Sequence, residues 1–300
     1  MKLTRETILI IVAFFSIYVI WGSTYLLNKI AVSDIPPLFL SSIRFVVAGI
    51  IIFIIAKFLK IPLAITKKQL RNNVLAGFLF LAYGNGVFVW SLRYVDSGFA
   101  ALEASSLPLV VLVLMRILHK QKIQRMALVG VLLGLIGIYL LISQQEITTG
   151  ENSLLGVSMI ATCIVSWAFA SIFVSKADLH KSYFVNSGYQ MLCGGILLAV
   201  FSLIIGETWT SPYDWKPLTF SIMILLIIFG SIIAFTAFNF LLQKVSPEKV
   251  STSSYVNPLI AMLLGWYVLD EKISLQSIIA ALILLLGVYF INSSKNKKIS

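Results

Sequence analysis

Ten apolar stretches, each long enough to cross a bilayer, run along this chain of 300 residues, and the second five repeat the first five about 150 residues later. A helix needs roughly 20 apolar residues to cross about 30 Å of hydrocarbon. The stretches lie near 8–28, 38–56, 73–92, 98–117, 126–143, 153–174, 185–205, 218–242, 247–268 and 274–292. Runs such as Ile50 to Ile55 and Leu282 to Leu286 are apolar on every side. A membrane barrel would instead alternate apolar and polar residues over segments of about ten. The expectation is an all-α integral membrane protein of ten transmembrane helices. An odd number of crossings per copy turns the second copy over, which gives two inverted five-helix repeats over 1–146 and 147–300.

The repeat shows residue by residue. At an offset of 150, Phe88 meets Phe238, Pro108 meets Pro258, Lys122-Ile123 meets Lys272-Ile273, Gly137 meets Gly287 and Tyr139 meets Tyr289. At 146, Trp21 meets Trp167 and Gly49 meets Gly195. Matches among Leu and Val are cheap, whereas Pro, Gly, Lys and Tyr are not.

Charge sets the orientation. With a cytosolic N-terminus, Lys29, Arg93, Lys216 and Lys272 lie outside and Arg44 lies within the second span, leaving 18 of the 23 basic residues inside. That bias satisfies the positive-inside rule and places both termini in the cytosol of a multi-pass inner (plasma) membrane protein. The first apolar run is longer than a signal-peptide core and lacks a small-residue cleavage site, so it reads as a retained span. A net charge of +11 could mark a nucleic-acid binder, but the basic residues are scattered over short loops, so topology and anionic lipid account for it and no nucleic acid is expected.

Connections of mostly five to fifteen residues leave no room for a soluble catalytic domain. Cys163 and Cys193 both fall inside spans, which excludes a disulfide framework, and His119 and His180 lack a carboxylate or Cys pair at ligand spacing. No metal and no cofactor is expected. A membrane-embedded enzyme would need clustered acids or histidines, or a nucleophile beside a base, yet Glu103 is the one carboxylate well inside a span and no His joins it. A channel would need rings of charge or a repeated carbonyl filter. Inverted halves that rock about a mid-depth site favour a carrier working by alternating access.

The motifs Trp21-Gly22-Ser23-Thr24, Asp34-Ile35-Pro36-Pro37, Ser42-Ile43-Arg44-Phe45, Asn257-Pro258-Leu259 and Asp270-Glu271-Lys272-Ile273 resemble the drug/metabolite transporter superfamily, in its EamA-type ten-helix branch. The likeness covers essentially the whole chain. One departure is the acidic turn after the ninth span, Asp270-Glu271, which reads Lys120-Gln121 after the fourth. The resemblance implies a secondary transporter, an exporter, of small metabolites, with amino acids, aromatic ones included, as the leading class and nucleosides, vitamins or drugs as alternatives. It also implies a central cavity between the halves, with the fifth and tenth spans at the periphery. Gly130 and Gly134 stand at GxxxG spacing with Gly137 beyond, which suits close helix contact, either within the chain or between the copies of a homodimer.

Polar and aromatic residues deep in spans are the candidates for the substrate site, because hydrocarbon penalises them elsewhere. They are Trp21, Tyr25, Arg44, Tyr83, Asn85 and Glu103 in the first half, and Trp167, Tyr189, Gln190, Asn239, Tyr255 and Asn257 in the second, with Asn28, Trp90, Ser105, Ser106, Ser253 and Ser254 beside them. Gly84-Asn85-Gly86 and Asn257-Pro258 weaken regular helix. Pro108 and Pro258 are expected to act as matched hinges in the fourth and ninth spans. Arg44 and Glu103 fall at similar depth from the same side, and their repeat counterparts, Gln190 and Ser253, are uncharged. They are therefore expected to form a charged pair gripping the two ends of a zwitterion, or tying two helices together.

Overall fold

A computed structural model describes residues 4–95, 100, 103–120, 122–143, 153–269 and 274–293. Among these no strand occurs, and the helices join into ten rods: α1 (Arg5–Ala31), α2 (Pro37–Phe58), α3 (Lys67–Ser91), α4 (Leu107–His119), α5 (Arg125–Ile142), α6 (Ser153–Val174), α7 (Tyr183–Ile204), α8 (Pro217–Lys244), α9 (Ser253–Leu269) and α10 (Leu275–Ser293). Seven of them, α1, α2, α3, α6, α7, α8 and α10, are long and apolar enough to cross a membrane; α4 and α5 are shorter apolar helices, and α9 has 17 residues. Large apolar side chains face outward, with Phe15 67% exposed, and α5 and α10 show Leu132, Ile136, Leu282 and Tyr289 on their outer faces. Such faces suit lipid.

The rods start where the sequence supplies a stop for the incoming chain. Thr4 caps α1, Thr66 and Gln69 form a reciprocal capping box on α3, Ser182 caps α7, and proline opens α2 and α8. The fourth and ninth rods depart from expectation in the same way. Continuous helix in α4 begins at Leu107, after a turn at Ser105-Ser106, and α9 begins at Ser253, after a turn at Ser251-Thr252 that separates it from a short helical turn, Pro247–Val250. The runs are apolar enough to read as single spans, but in the ninth the serines and threonine bond to nearby backbone: Ser251 Oγ donates to Glu248 O at 2.8 Å, Thr252 Oγ1 to Lys249 O at 2.6 Å and Ser254 Oγ to Ser251 O at 2.9 Å, while in the fourth Ser105 Oγ donates across to Ser254 O at 2.8 Å. The turn 270–273 lies outside the described residues.

Contacts between the first five rods and the last five come in matched sets. α2 lies along α7 and α5 along α10; α1 packs on α9 and α8 as α6 packs on α4 and α3; α2 meets α8 as α7 meets α3. The α5–α10 contact is backbone-close. A Cβ on Gly130 would fall 2.6 Å from Gly287 O, and one on Gly287 would fall 3.1 Å from Gly134 N; on its α9 side Gly134 leaves no room for a Cβ beside the Tyr255 ring. The GxxxG face is thus occupied within the chain.

Both α3 and α8 carry an eight-residue π-helical segment, Phe78–Asn85 and Leu226–Ile233, at corresponding positions of the two halves. A π turn leaves carbonyls that the regular ladder no longer serves. Ser166 Oγ donates to Leu79 O at 2.8 Å, Cys163 Sγ lies 3.8 Å from Tyr83 O, and Trp21 Nε1 donates to Gly230 O at 3.1 Å. α6 therefore closes the break in α3, and α1 closes the break in α8.

At one end of the bundle the Glu207 carboxylate accepts from the N–H groups of Leu38 (3.2 Å) and Phe39 (2.8 Å) at the start of α2, while Trp209 stacks on Phe39 with centroids 4.7 Å apart. Close by in sequence, Asp34 accepts from Lys216 Nζ at 2.6 Å and Thr219 Oγ1 at 2.5 Å. Ion pairs Lys68–Asp178 (3.3 Å) and Lys244–Glu6 (2.8 Å) join residues that the charge census places on the opposite side. The hydrogen bond from Lys216, with help from Thr219, holds the Asp34 carboxyl below its ordinary 3.8. A depressed carboxyl contributes stability above its unfolded value and loses it as pH falls through the folded value. Wild type and Asp34→Asn should therefore differ in thermal unfolding at neutral pH and converge near pH 2; a gap that persists in acid would assign the effect to something other than this charge.

Candidate functional site

A central cavity of ≈ 130 Å³ lies between the halves. From the first half α1 supplies Trp21, Thr24, Tyr25 and Asn28, α2 supplies Arg44 and Phe45, α3 supplies Leu81, Gly84, Asn85 and Phe88, and the approach to α4 supplies Ala104 and Leu107. From the second half come Cys163, Ile164 and Trp167 of α6, Gly230 and Phe235 of α8, and Ser253, Ser254 and Asn257 of α9. None of the lining residues belongs to α5, α7 or α10.

The walls are aromatic. Trp21 meets Trp167 edge-on, with centroids 5.8 Å apart, and both pack on Phe238. Phe80 joins Trp167 at 5.0 Å and Phe235 at 5.8 Å, so five rings from α1, α3, α6 and α8 form one cluster, of which Trp21, Trp167 and Phe235 line the cavity. Tyr25 lies edge-on to Phe88 at 5.8 Å, and its hydroxyl bonds to Asn257. With its amide oriented to satisfy its neighbours, Asn257 donates to Ser253 O (2.9 Å) and Tyr18 O (3.2 Å), linking α9 to α1.

Arg44 is the one charged side chain in the lining among the described residues, and it is 3% exposed. Its Nε donates to Ser231 Oγ at 2.7 Å and its Nη1 to Asn28 Oδ1 at 3.4 Å, and its guanidinium lies 5.0 Å from the Phe45 ring centre. Ser231 Oγ itself donates to Leu226 O at 3.1 Å, across the π-helical segment of α8. Gly230 leaves the guanidinium its space, since a Cβ there would fall 2.8 Å from Arg44 Nη2.

Six of the twelve expected binding residues thus meet in one place: Trp21, Tyr25, Arg44, Asn85, Trp167 and Asn257. The expected pairing of Arg44 with Glu103 is not formed, because the guanidinium is turned toward α1 and α8, where Asn28 and Ser231 hold it. Glu103 precedes the lining residue Ala104 but is not itself in the lining, and its Oε2 is buried without a hydrogen-bond partner among the described residues. The other five lie outside the lining. Tyr83 packs on Phe78. Tyr189 packs on Phe53 and donates to Leu63 O at 3.0 Å. Gln190 donates to Asn73 Oδ1 at 3.0 Å, Asn239 to Ser187 Oγ at 3.1 Å, and Tyr255 to Val131 O at 3.3 Å. Gln190 and Arg44, matched across the repeat, thus do different work: one closes an amide contact between α7 and α3, the other points a charge into the cavity.

The two prolines also differ. Pro258 lies inside α9, whereas Pro108 is in the first turn of α4, where its missing N–H has no ladder partner to lose. Thr24, Gly230 and Ser231 were missed from sequence. The available signal was the dipeptide Gly230-Ser231, which stands 146 residues after Gly84-Asn85, the offset that also links Trp21 to Trp167. Among the described residues no group of three His, Cys, Asp or Glu gathers as a metal site.

The described lining is thus aromatic and apolar for the most part, with neutral polar side chains and one cation, Arg44. The chain is 35% identical over 273 residues to the uncharacterized inner membrane transporter YedA of Escherichia coli (strain K12), covering 90% of this chain and 86% of that one. It is 23% identical to the uncharacterized transporter YoaV of Bacillus subtilis (strain 168), covering 91% and 93%. A protein of known crystal structure, 18% identical, shares the fold with a TM-score of 0.76 over 93% of this chain and 94% of its own. The model of the EamA-like transporter family matches twice, over residues 8–143 and 154–293, and the chain belongs to that family.

Proposed function

We propose that the chain is a secondary transporter of the inner membrane that carries small carboxylate-bearing metabolites, aromatic amino acids among them, outward by alternating access. All ten rods cross the bilayer in this reading, as two inverted halves over 1–146 and 147–300 with both termini in the cytosol. The observation that carries it is the cavity: α1 to α4 and α6, α8 and α9 supply its walls, and the matched contacts of the two halves surround it. Rocking of one half on the other would expose the same chamber to either side in turn. The aromatic wall and single cation support an amphipathic substrate, and amino acids enter as the leading class through the family resemblance.

Purified protein in liposomes preloaded with unlabelled aromatic amino acids and carboxylates should take up labelled solute with saturation and counterflow. Transmembrane current far above carrier turnover would overturn the reading in favour of a channel, and chemical conversion of the solute in favour of an enzyme. For the topology, a reporter active only in the periplasm should stay silent when fused after residue 300; strong signal there would reverse the orientation.

A further inference from the structure

We infer that Arg44 is an unpaired anion anchor, and that the preferred substrate is an apolar aromatic monocarboxylate bound as the anion, ahead of the zwitterionic amino acid with the same ring. The inference rests on the cavity being the transport site. A guanidinium stays charged and offers five N–H donors. Two of those donors are engaged, by neutral acceptors, Ser231 Oγ and Asn28 Oδ1, and no carboxylate lies within 4.0 Å of Arg44 among the described residues. A buried cation is costly at this depth and is ordinarily offset by an opposite charge. Here the walls supply none: every other polar side chain of the described lining is neutral.

The charge that completes the site must therefore arrive with the ligand. Arginine meets a carboxylate in a fork, and such charge-assisted bonds are about twice as strong as neutral ones. An aromatic monocarboxylate leaves the occupied chamber neutral while its ring lies among Trp21, Tyr25, Phe88 and Trp167. The corresponding amino acid brings an ammonium as well, which leaves one uncompensated positive charge in a low-dielectric space. The expected second grip, Glu103, is outside the lining and makes no ion pair with Arg44.

Three probes with one ring system separate the terms: indole-3-acetate, its neutral amide and tryptophan, with binding to purified protein in nanodiscs measured by calorimetry. Wild type should bind the acid about tenfold more tightly than the amide and several-fold more tightly than tryptophan. Arg44→Gln should lose the acid preference while its amide affinity stays unchanged. Should that variant fail to fold, Ser231→Ala, which keeps the cation but removes its 2.7 Å support, should narrow the gap between acid and amide. Equal affinity for acid and amide, tryptophan binding as tightly as the acid, or no binding of any of the three would overturn the inference. Uptake of labelled indole-3-acetate into liposomes is scored separately. The expected binding order without flux would keep the anchor and overturn the transport reading, and saturable amino acid flux without acid preference would do the reverse.

Discussion

Gly130→Leu is expected to unseat α5 from α10 and to cost about 3 kcal/mol or more of stability, at the upper end for overpacking a close contact. A Cβ at Gly130 would stand 2.6 Å from Gly287 O, 2.8 Å from an Ile291 side-chain carbon and 2.9 Å from Ile291 N, and two of these three are backbone atoms that no rotamer change can move. Gly287 is held as tightly from the other side, with Gly130 O 2.7 Å from where its own Cβ would be. In lipid the helices gain little from hiding apolar surface, so close backbone packing supplies much of what holds α10 in place. Thermal unfolding in mild detergent measures the effect, with Leu132→Ala on the outward face of α5, where Leu132 is 51% exposed, as the near-silent control. Wild-type stability in Gly130→Leu would mean that the α5–α10 crossing is looser than described.

Pro258→Ala is expected to lower transport about tenfold with little loss of fold, and Pro108→Ala to change neither by more than about twofold. Proline at 258 removes the N–H that would otherwise bond to the carbonyl of Ser254. That carbonyl is taken instead by Ser105 Oγ, at 2.8 Å, across the junction between the halves. Alanine restores an internal donor that competes with Ser105 and straightens the rod beside Ser253, Ser254 and Asn257 of the cavity wall. Pro108 has no such role, since the first turn of a helix leaves its N–H groups unserved in any case. Initial rates of counterflow for the two variants test the difference; equal losses would return the prolines to the status of symmetric hinges.

The pairs that the repeat brought out, and the polar residues stranded in apolar runs, were legible because lipid leaves so few places for them. That constraint is why Trp21, Asn85, Trp167 and Asn257 stand out in the sequence, and all four line the cavity. The same constraint is blind to what satisfies the polar group. Gln190, Asn239 and Tyr189 bond to neighbouring helices instead of lining a cavity, and a buried amide reads alike in both settings. Depth along a rod follows from residue count, but azimuth does not, and azimuth is what separates Arg44 from Glu103. The π-helical segments left no trace in composition, because Phe78–Asn85 and Leu226–Ile233 are as apolar as any span; their one mark was a small-polar dipeptide at equivalent places in both halves.

Cross-bracing of each half's irregular rod by the other sets a timetable on the ribosome. The carbonyl of Leu79 needs Ser166, 87 residues further on, and the guanidinium of Arg44 needs Ser231, 187 residues further on. At roughly 5–20 residues per second, the first must wait roughly 4–17 s and the second roughly 9–37 s for a partner that does not yet exist. Through that interval the nascent first half holds an unserved carbonyl and a cation with Asn28 as its acceptor but without Ser231, groups that hydrocarbon penalises. The early rods must therefore linger beside water or the insertion machinery until α6 and then α8 are made. The bracing of the first half is therefore complete only once α8 has been made.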